Sequence, residues 1–477
     1  AALAAAAAVQ GRRRRGAVAR RAAADEAQVE CAAAQWHAAR RRAILEAHPE
    51  VAELCGPDWR TLPLVVAANV LQLTAAVWSG LALHQAGDDP WAWFGVAALA
   101  CSLGGTLSLW SFAVLHDLVH GTVLRVDRAL REQLLFWLSF PTIFGYHLYL
   151  QRGHLSHHRN LGRASMGQLF DSSRREFEDG DVLFVAHRQP LAGRPYELRM
   201  QLPGVGEAAF SPSISHNVFA RLWDKGPGRD SAAGLEDGDS SEAAGDVAAG
   251  IRGLRNAALY SFSMLFERCA LAVNDKLVAV IGTNLFFPNK PAAFHQGCAN
   301  YARSAALLHA ALLVLSGPGA LFYLLLAEVS WQLPLHPACA MFVSNHGSGQ
   351  RADGSCSPTS SLYVGQPWGL YDWLCLFSNY HLEHHDFPDV GLLRLPEVTR
   401  AAPEFYGMEA PEAPPAAPPT LAVATASRDW LDTVVAAFAA PQPYACSLVE
   451  GIDDGYQGEE DSASWAAAAE AARAAGA

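Results

Sequence analysis

The stretch TLPLVVAANVLQLTAAVWSGLALH, Thr61 to His84, decides how the rest of the chain is read. It carries no lysine, arginine or carboxylate, and at 1.5 Å per residue a helix over it crosses a hydrocarbon core of roughly 30 Å. A second run of this kind, WAWFGVAALACSLGGTLSLWSFAVL (91–115), follows the polar turn QAGDDP. The chain has 477 residues and 35 lysines and arginines, yet none falls in 61–115 or in 304–350. Around the second gap, NYARSAALLHAALLVLS (300–316) and ALFYLLLAEVSWQLPLHPACAMF (320–342) flank Gly317-Pro318-Gly319, which cannot easily continue a helix. The expected fold is therefore all-α: an integral membrane helical bundle of four transmembrane helices in two hairpins. Two hairpins buried in a large soluble core would not need charge-free runs of this length.

Both hairpin turns lack basic residues, whereas the amino end carries GRRRRGAVARR and ARRR, so both termini are expected in the cytosol. The net charge of −12 sits in the polar segments, and no basic patch with interleaved aromatics suggests nucleic acid. Nine dispersed cysteines with no C-x-x-C pair point to free thiols in a reducing compartment. Residues 1–35 read as disordered or targeting-like, which also allows a plastid destination. A segment 36–60 precedes a membrane catalytic domain over 61–409 that holds a disordered acidic insert near 225–250. A Pro-rich linker (410–422), a helical segment (423–449) and an acidic, Ala-rich tail (450–477) complete the chain.

Of 18 histidines, eight fall in three clusters: HDLVH (His116, His120), HLSHH (His154, His157, His158) and HLEHH (His381, His384, His385). On a helix, residues three and four apart share a face, so each cluster aims its imidazoles at one point. Neutral imidazole suits iron, zinc, copper or nickel, and eight rings exceed the ligands of one ordinary site, so two metal ions are expected. Metal storage or pH sensing is the non-enzymatic alternative. Scattered histidines such as His37, His84, His147, His187 and His309 are read as structural.

The clusters can meet only on one side of the bilayer. EQLLFWLSFPTIFGYHLYL (132–150) is interrupted by Pro141 and Gly145, and CALAVNDKLVAVIGTNLFF (269–287) by Asn274, Asp275 and Lys276, so both are expected to lie at the interface. Zinc has no redox chemistry to offer beside lipid, whereas an iron pair can activate O2 and attack an unactivated methylene.

These boxes resemble the membrane fatty acid desaturases. WHAARRRAILEAHPEVAELCGPD (36–58) further resembles the amino-terminal signature of the sphingolipid Δ4-desaturase branch. HLSHHRNLG, LFFPNKP, LPLHPACAMFVSNH and NYHLEHHDFPDVGLLRLPEVTRAAPEFY continue the likeness in order, over roughly residues 36–436. The resemblance implies a cytosolic helical cap carrying a di-iron site ligated by His116, His120, His154, His157, His158, His381, His384 and His385. It adds His346 as a ninth ligand and Asn345 as a group orienting a ring or bound water. The implied reaction is O2-dependent formation of the trans C4–C5 double bond of dihydroceramide, giving ceramide, with C4 hydroxylation as an alternative outcome. Electrons would come from a separate cytochrome b5 and its NADH-dependent reductase, in the endoplasmic reticulum.

Box one reads HDLVHGT where this branch usually has H-E-x-x-H-N, which keeps a carotenoid ketolase or hydroxylase in view beside an acyl-lipid desaturase. Met341 stands where the branch tends to have histidine, and Asp117 is shorter than glutamate if that carboxylate braces a ring. Asp386 is expected either to accept from a metal-bound imidazole or to cap a helix end.

Overall fold

The computed structural model describes residues 32–141, 158, 198–202, 206–210, 242–283, 292–345, 357, 359–408, 417–418, 421–423 and 428–439. Among the described residues, three helices are long and apolar enough to cross a membrane: α2 (Thr61–Ala86), α3 (Pro90–His120) and most of α6 (Ala292–Ser316). They follow α1 (Ala32–Ala47), in the amino-terminal segment, and α6 is preceded by α4 (Arg128–Leu138) and α5 (Glu242–Ile281). Asp89 opens α3 by accepting from the Trp91 amide, with Pro90 at a position that needs no donor.

The expected fourth span is not one helix. α7 (Pro318–Ser330) has 13 residues, roughly 20 Å of rise, and stops short of a hydrocarbon core. The chain turns through Trp331–Pro337 and resumes as α8 (Ala338–Ser344), which α9 (Leu370–Cys375) follows. Pro334 and Pro337 supply the reason, since neither can donate the amide that a continuous helix needs there.

Small and polar side chains knit the membrane helices together. A β-carbon added at Gly104 would lie 2.8 Å from that of Ala327, so α7 approaches α3 backbone to backbone. Gln72 of α2 donates to Ser108 Oγ (2.9 Å) and accepts from the Tyr323 hydroxyl (3.2 Å), joining α2, α3 and α7 through one buried amide. Around it Ala76, Leu83, Ala100, Leu312 and Leu324 form an apolar core. A second core, from Trp36, Ile44, Val114 and Leu118 to Phe387 and Val398, joins the end of α3 to the amino-terminal segment and the carboxyl-terminal third.

The all-α expectation needs one amendment among the described residues: β1 (Leu198–Leu202) and β2 (Gly206–Phe210) form an antiparallel hairpin, with Leu198 opposite Phe210. Residues 242–250, assigned above to the acidic insert, open α5. That helix runs unbroken through Asn274-Asp275-Lys276, because Asp275 is buried inside the bundle instead of facing water. The expected 423–449 segment contains a helix over Trp430–Ala439.

Candidate metal centre

Box one ends α3, where His116 and His120 stand one turn apart with ring centroids separated by 5.1 Å. The left-handed Gly121 (φ 76°) then turns the chain away. Box three is a short helix, α10 (His381–Asp386). Leu376 (φ 46°) and Phe377 (φ 63°) redirect the backbone toward it, both buried and both in the left-handed region that side-chain-bearing residues avoid. Such conformations cost on the order of 1–3 kcal/mol each and cluster at functional sites.

Six of the nine expected ligands come together. His116, His120, His158 and His384 offer nitrogens that all lie within 4.8 Å of one another. His384 Nε2 is 3.1 Å from His158 Nε2, and His385 Nε2 is 3.1 Å from His381 Nε2. The His158 ring lies 4.1 Å from that of His385, so it stands between the two groups. His154, His157 and His346 fall outside the described residues. Asn345 lies buried beside the cluster and donates from Nδ2 to Met341 Sδ at 3.3 Å.

The donor set suits metal. Two nitrogens bound to one ion at roughly 2.0–2.1 Å and about 90–110° apart stand roughly 2.9–3.4 Å from each other, the separation found in both close pairs. Burial, reinforced by the neighbouring imidazoles, holds His384 well below the usual histidine range, so its ring is neutral near pH 7, the form that can bind a metal.

The box carboxylates look outward. Asp117 accepts from the Leu392 amide (3.0 Å) and its other oxygen is 3.8 Å from His116 Nδ1, too far for a hydrogen bond. Asp386 neither caps a helix nor, among the described residues, accepts from a box imidazole. His37 Nδ1 donates to it at 2.7 Å, Arg40 Nε at 2.9 Å and the Tyr406 hydroxyl at 3.1 Å. The Arg40 guanidinium is fully buried, and its remaining nitrogens donate to the carbonyls of Leu421 and Phe405. Burial pulls the Arg40 pKa down, but Asp386 together with Tyr406 and Glu383 outweighs it and the pKa is raised. His37, set aside above as structural, has its ring 5.1 Å from His385 and accepts from Thr359 Oγ1 at 3.0 Å. The amino-terminal signature is therefore a clamp on box three.

Spacing alone could not single out Glu383. It is fully buried in α10, accepting from Ser361 Oγ (2.5 Å) and from the hydroxyls of Tyr363 and Thr399. Burial raises its pKa, opposed by those hydroxyl donors. Removing the carboxylate in Glu383→Ala strands the hydroxyls, each costing about 1–3 kcal/mol where no water replaces the oxygen. Thermal unfolding in detergent should show a clear loss for Glu383→Ala and a smaller one for Glu383→Gln. With the native pKa raised, Glu383 contributes most to stability below the ordinary carboxylate pKa. That contribution is lost as pH rises through the native value, and Glu383→Gln should flatten this part of the pH–stability curve.

A slot of ≈ 30 Å³ opens onto the cluster. Leu109, Phe112, Trp331 and Phe342 line it together with His116, His381 and His384. It is far smaller than a lipid chain.

Comparisons with known proteins follow this geometry. Residues 237–413 match the model of the fatty acid desaturase family, and residues 33–60 that of the sphingolipid Delta4-desaturases. The likeness is thus to the fatty acid desaturase family. Within it, the likeness is to the sphingolipid Δ4-desaturase branch. The sphingolipid delta(4)-desaturase of Komagataella phaffii is 35% identical over 127 residues, 26% of this chain and 33% of that protein. A Drosophila melanogaster sphingolipid delta(4)-desaturase is 24% identical over 78% of this chain and 83% of its own length. A putative sphingolipid delta(4)-desaturase/C4-monooxygenase of Caenorhabditis elegans is 24% identical over 78% and 74%. Alignment with the first of these thus spans a third of the relative, and with the other two most of it. No solved structure matches. The desaturase-family match begins after boxes one and two.

Proposed function

We propose that the chain is a membrane desaturase that introduces the trans C4–C5 double bond into the sphingoid base of dihydroceramide, with C4 hydroxylation as its second outcome. The observation that carries the branch assignment is the clamp of His37 and Arg40 on Asp386, which ties the Δ4-desaturase signature to the box-three helix. The convergence of six imidazoles supports the chemistry.

On this reading His116, His120, His154, His157, His158, His346, His381, His384 and His385 hold two iron ions within a catalytic domain over 61–409. When bound, the iron pair supplies O2-dependent hydrogen abstraction from an unactivated methylene, which no side chain here can perform. The protein contributes position and dryness. Trp331, Phe342 and Phe112 pack together and line the same slot as the imidazoles of His116 and His384, so a methylene entering it is held beside those rings and shielded from water. Asn345, at the same slot, orients a ring or a bound water. A separate cytochrome b5 with its NADH-dependent reductase supplies electrons, and the bundle sits in the endoplasmic reticulum with both termini cytosolic and box three in a cytosolic cap.

Expression in a yeast lacking its own sphingoid C4 hydroxylase tests the reading. Long-chain-base profiles should gain Δ4-unsaturated or 4-hydroxylated species. Unchanged bases together with altered pigments in a carotenoid-producing host would move the assignment to a carotenoid oxygenase.

A further inference from the structure

The second half of α5 has its polarity reversed relative to a helix in water. Arg268 is 5% exposed and donates from Nε (3.1 Å) and Nη2 (2.8 Å) to Gln332 Oε1 in the turn after α7. Asp275 is 4% exposed, and the buried Lys276 Nζ feels the carboxylates of Asp275 and of Glu328, itself buried in α7. The outer face is apolar: Phe262, Leu265, Val273 (59% exposed), Leu277 and Val280 (82%). These positions recur at helical spacing and make one stripe. An interfacial helix turns its charges to water. Here Arg268, Asp275 and the Lys276 ammonium turn to the bundle.

The stripe continues the membrane face of α6. Val278 packs with Cys298, Ala299, Tyr301 and Ala302 of that helix, and Arg303 Nε donates to the Ala279 carbonyl at 2.9 Å. Beyond this seam α6 exposes Leu307, Val314 and Leu315, within a segment long and apolar enough to cross a bilayer. Ionisable groups at membrane depth are tolerated where they face the bundle interior, which is how Arg268, bonded to Gln332, and the buried Asp275 and Lys276 Nζ are placed. We infer that the face of α5 from Phe262 to Val280 is embedded in the hydrocarbon of the bilayer, with lipid acyl chains as its occupant. A hydropathy reading passes over it because it counts charges without regard to where they point. The inference rests on the membrane-length helices and is independent of the reaction proposed above.

The test uses the full chain in phosphatidylcholine nanodiscs, with p-benzoylphenylalanine replacing Val273 or, separately, Val280. The same substitution at Val314 serves as the membrane reference. After irradiation, mass spectrometry should place a phospholipid adduct on the α5 peptide at a yield matching the Val314 variant. A covalent dimer would assign the face to a second copy of the chain. No adduct at either α5 position, while Val314 reacts with lipid, would assign it to water. Either result overturns the inference, and two positions are used so that misfolding of one variant leaves the other to decide.

Discussion

On the proposed di-iron reading, replacing His384 with alanine should remove bound iron and cut formation of the Δ4 double bond by more than about 100-fold. Even residues that only support metal ligands typically cost 10–100-fold when changed. His384 is the imidazole that most others touch: its ring lies 4.4 Å from His116, 4.7 Å from His120 and 4.9 Å from His158. Its loss opens the four-nitrogen group at the centre, leaving His381 and His385 paired with each other. The measurement is iron per chain by mass spectrometry together with long-chain-base profiles from the same membranes. Full iron content with lost turnover would take His384 out of the ligand set and leave it a positioning role.

Asp386→Ala should be nearly as damaging, by another route. It leaves the buried Arg40 guanidinium without its carboxylate, and breaking a buried pair from one side costs about 3–5 kcal/mol. The amino-terminal segment should then release, exposing the Arg40–Arg42 run to trypsin while the membrane helices stay folded. The double variant Arg40→Leu/Asp386→Leu removes both charges and should recover much of the thermal stability, because replacing both partners by apolar groups is often neutral. Equal instability of the single and double variants would show that the hydrogen bonds of Asp386 to His37 and Tyr406 matter more than its charge pair.

Much of this architecture was legible in the chain because its signals are local. Lysine- and arginine-free runs mark α2, α3 and α6, and histidines four apart mark the faces that meet in boxes one and three. Signals that depend on where a side chain points were hidden. Asp275 and Lys276 suggested an interrupted, interfacial helix, since nothing local says that a charge will be met by Glu328 or that Arg268 will find Gln332. The break in the fourth span was written in Pro334 and Pro337 but masked by the apolar residues around them. His37 looked scattered because its partners, Asp386 and Thr359, lie far along the chain; its place three residues before Arg40 was the available clue. The hydroxyls around Glu383 come from Ser361, Tyr363 and Thr399, three separate positions that no spacing rule connects.

The clamp joins residues 346 positions apart, Arg40 and Asp386. During synthesis, the first of these leaves the ribosome with most of the polypeptide still unmade, and α2 and α3 can enter the bilayer long before box three exists. Contacts of such sequence separation form late, because the intervening chain must be ordered before they are gained. Assembly of the histidine cluster is thus deferred to the end of biogenesis, and a prematurely terminated product would reach the membrane without it.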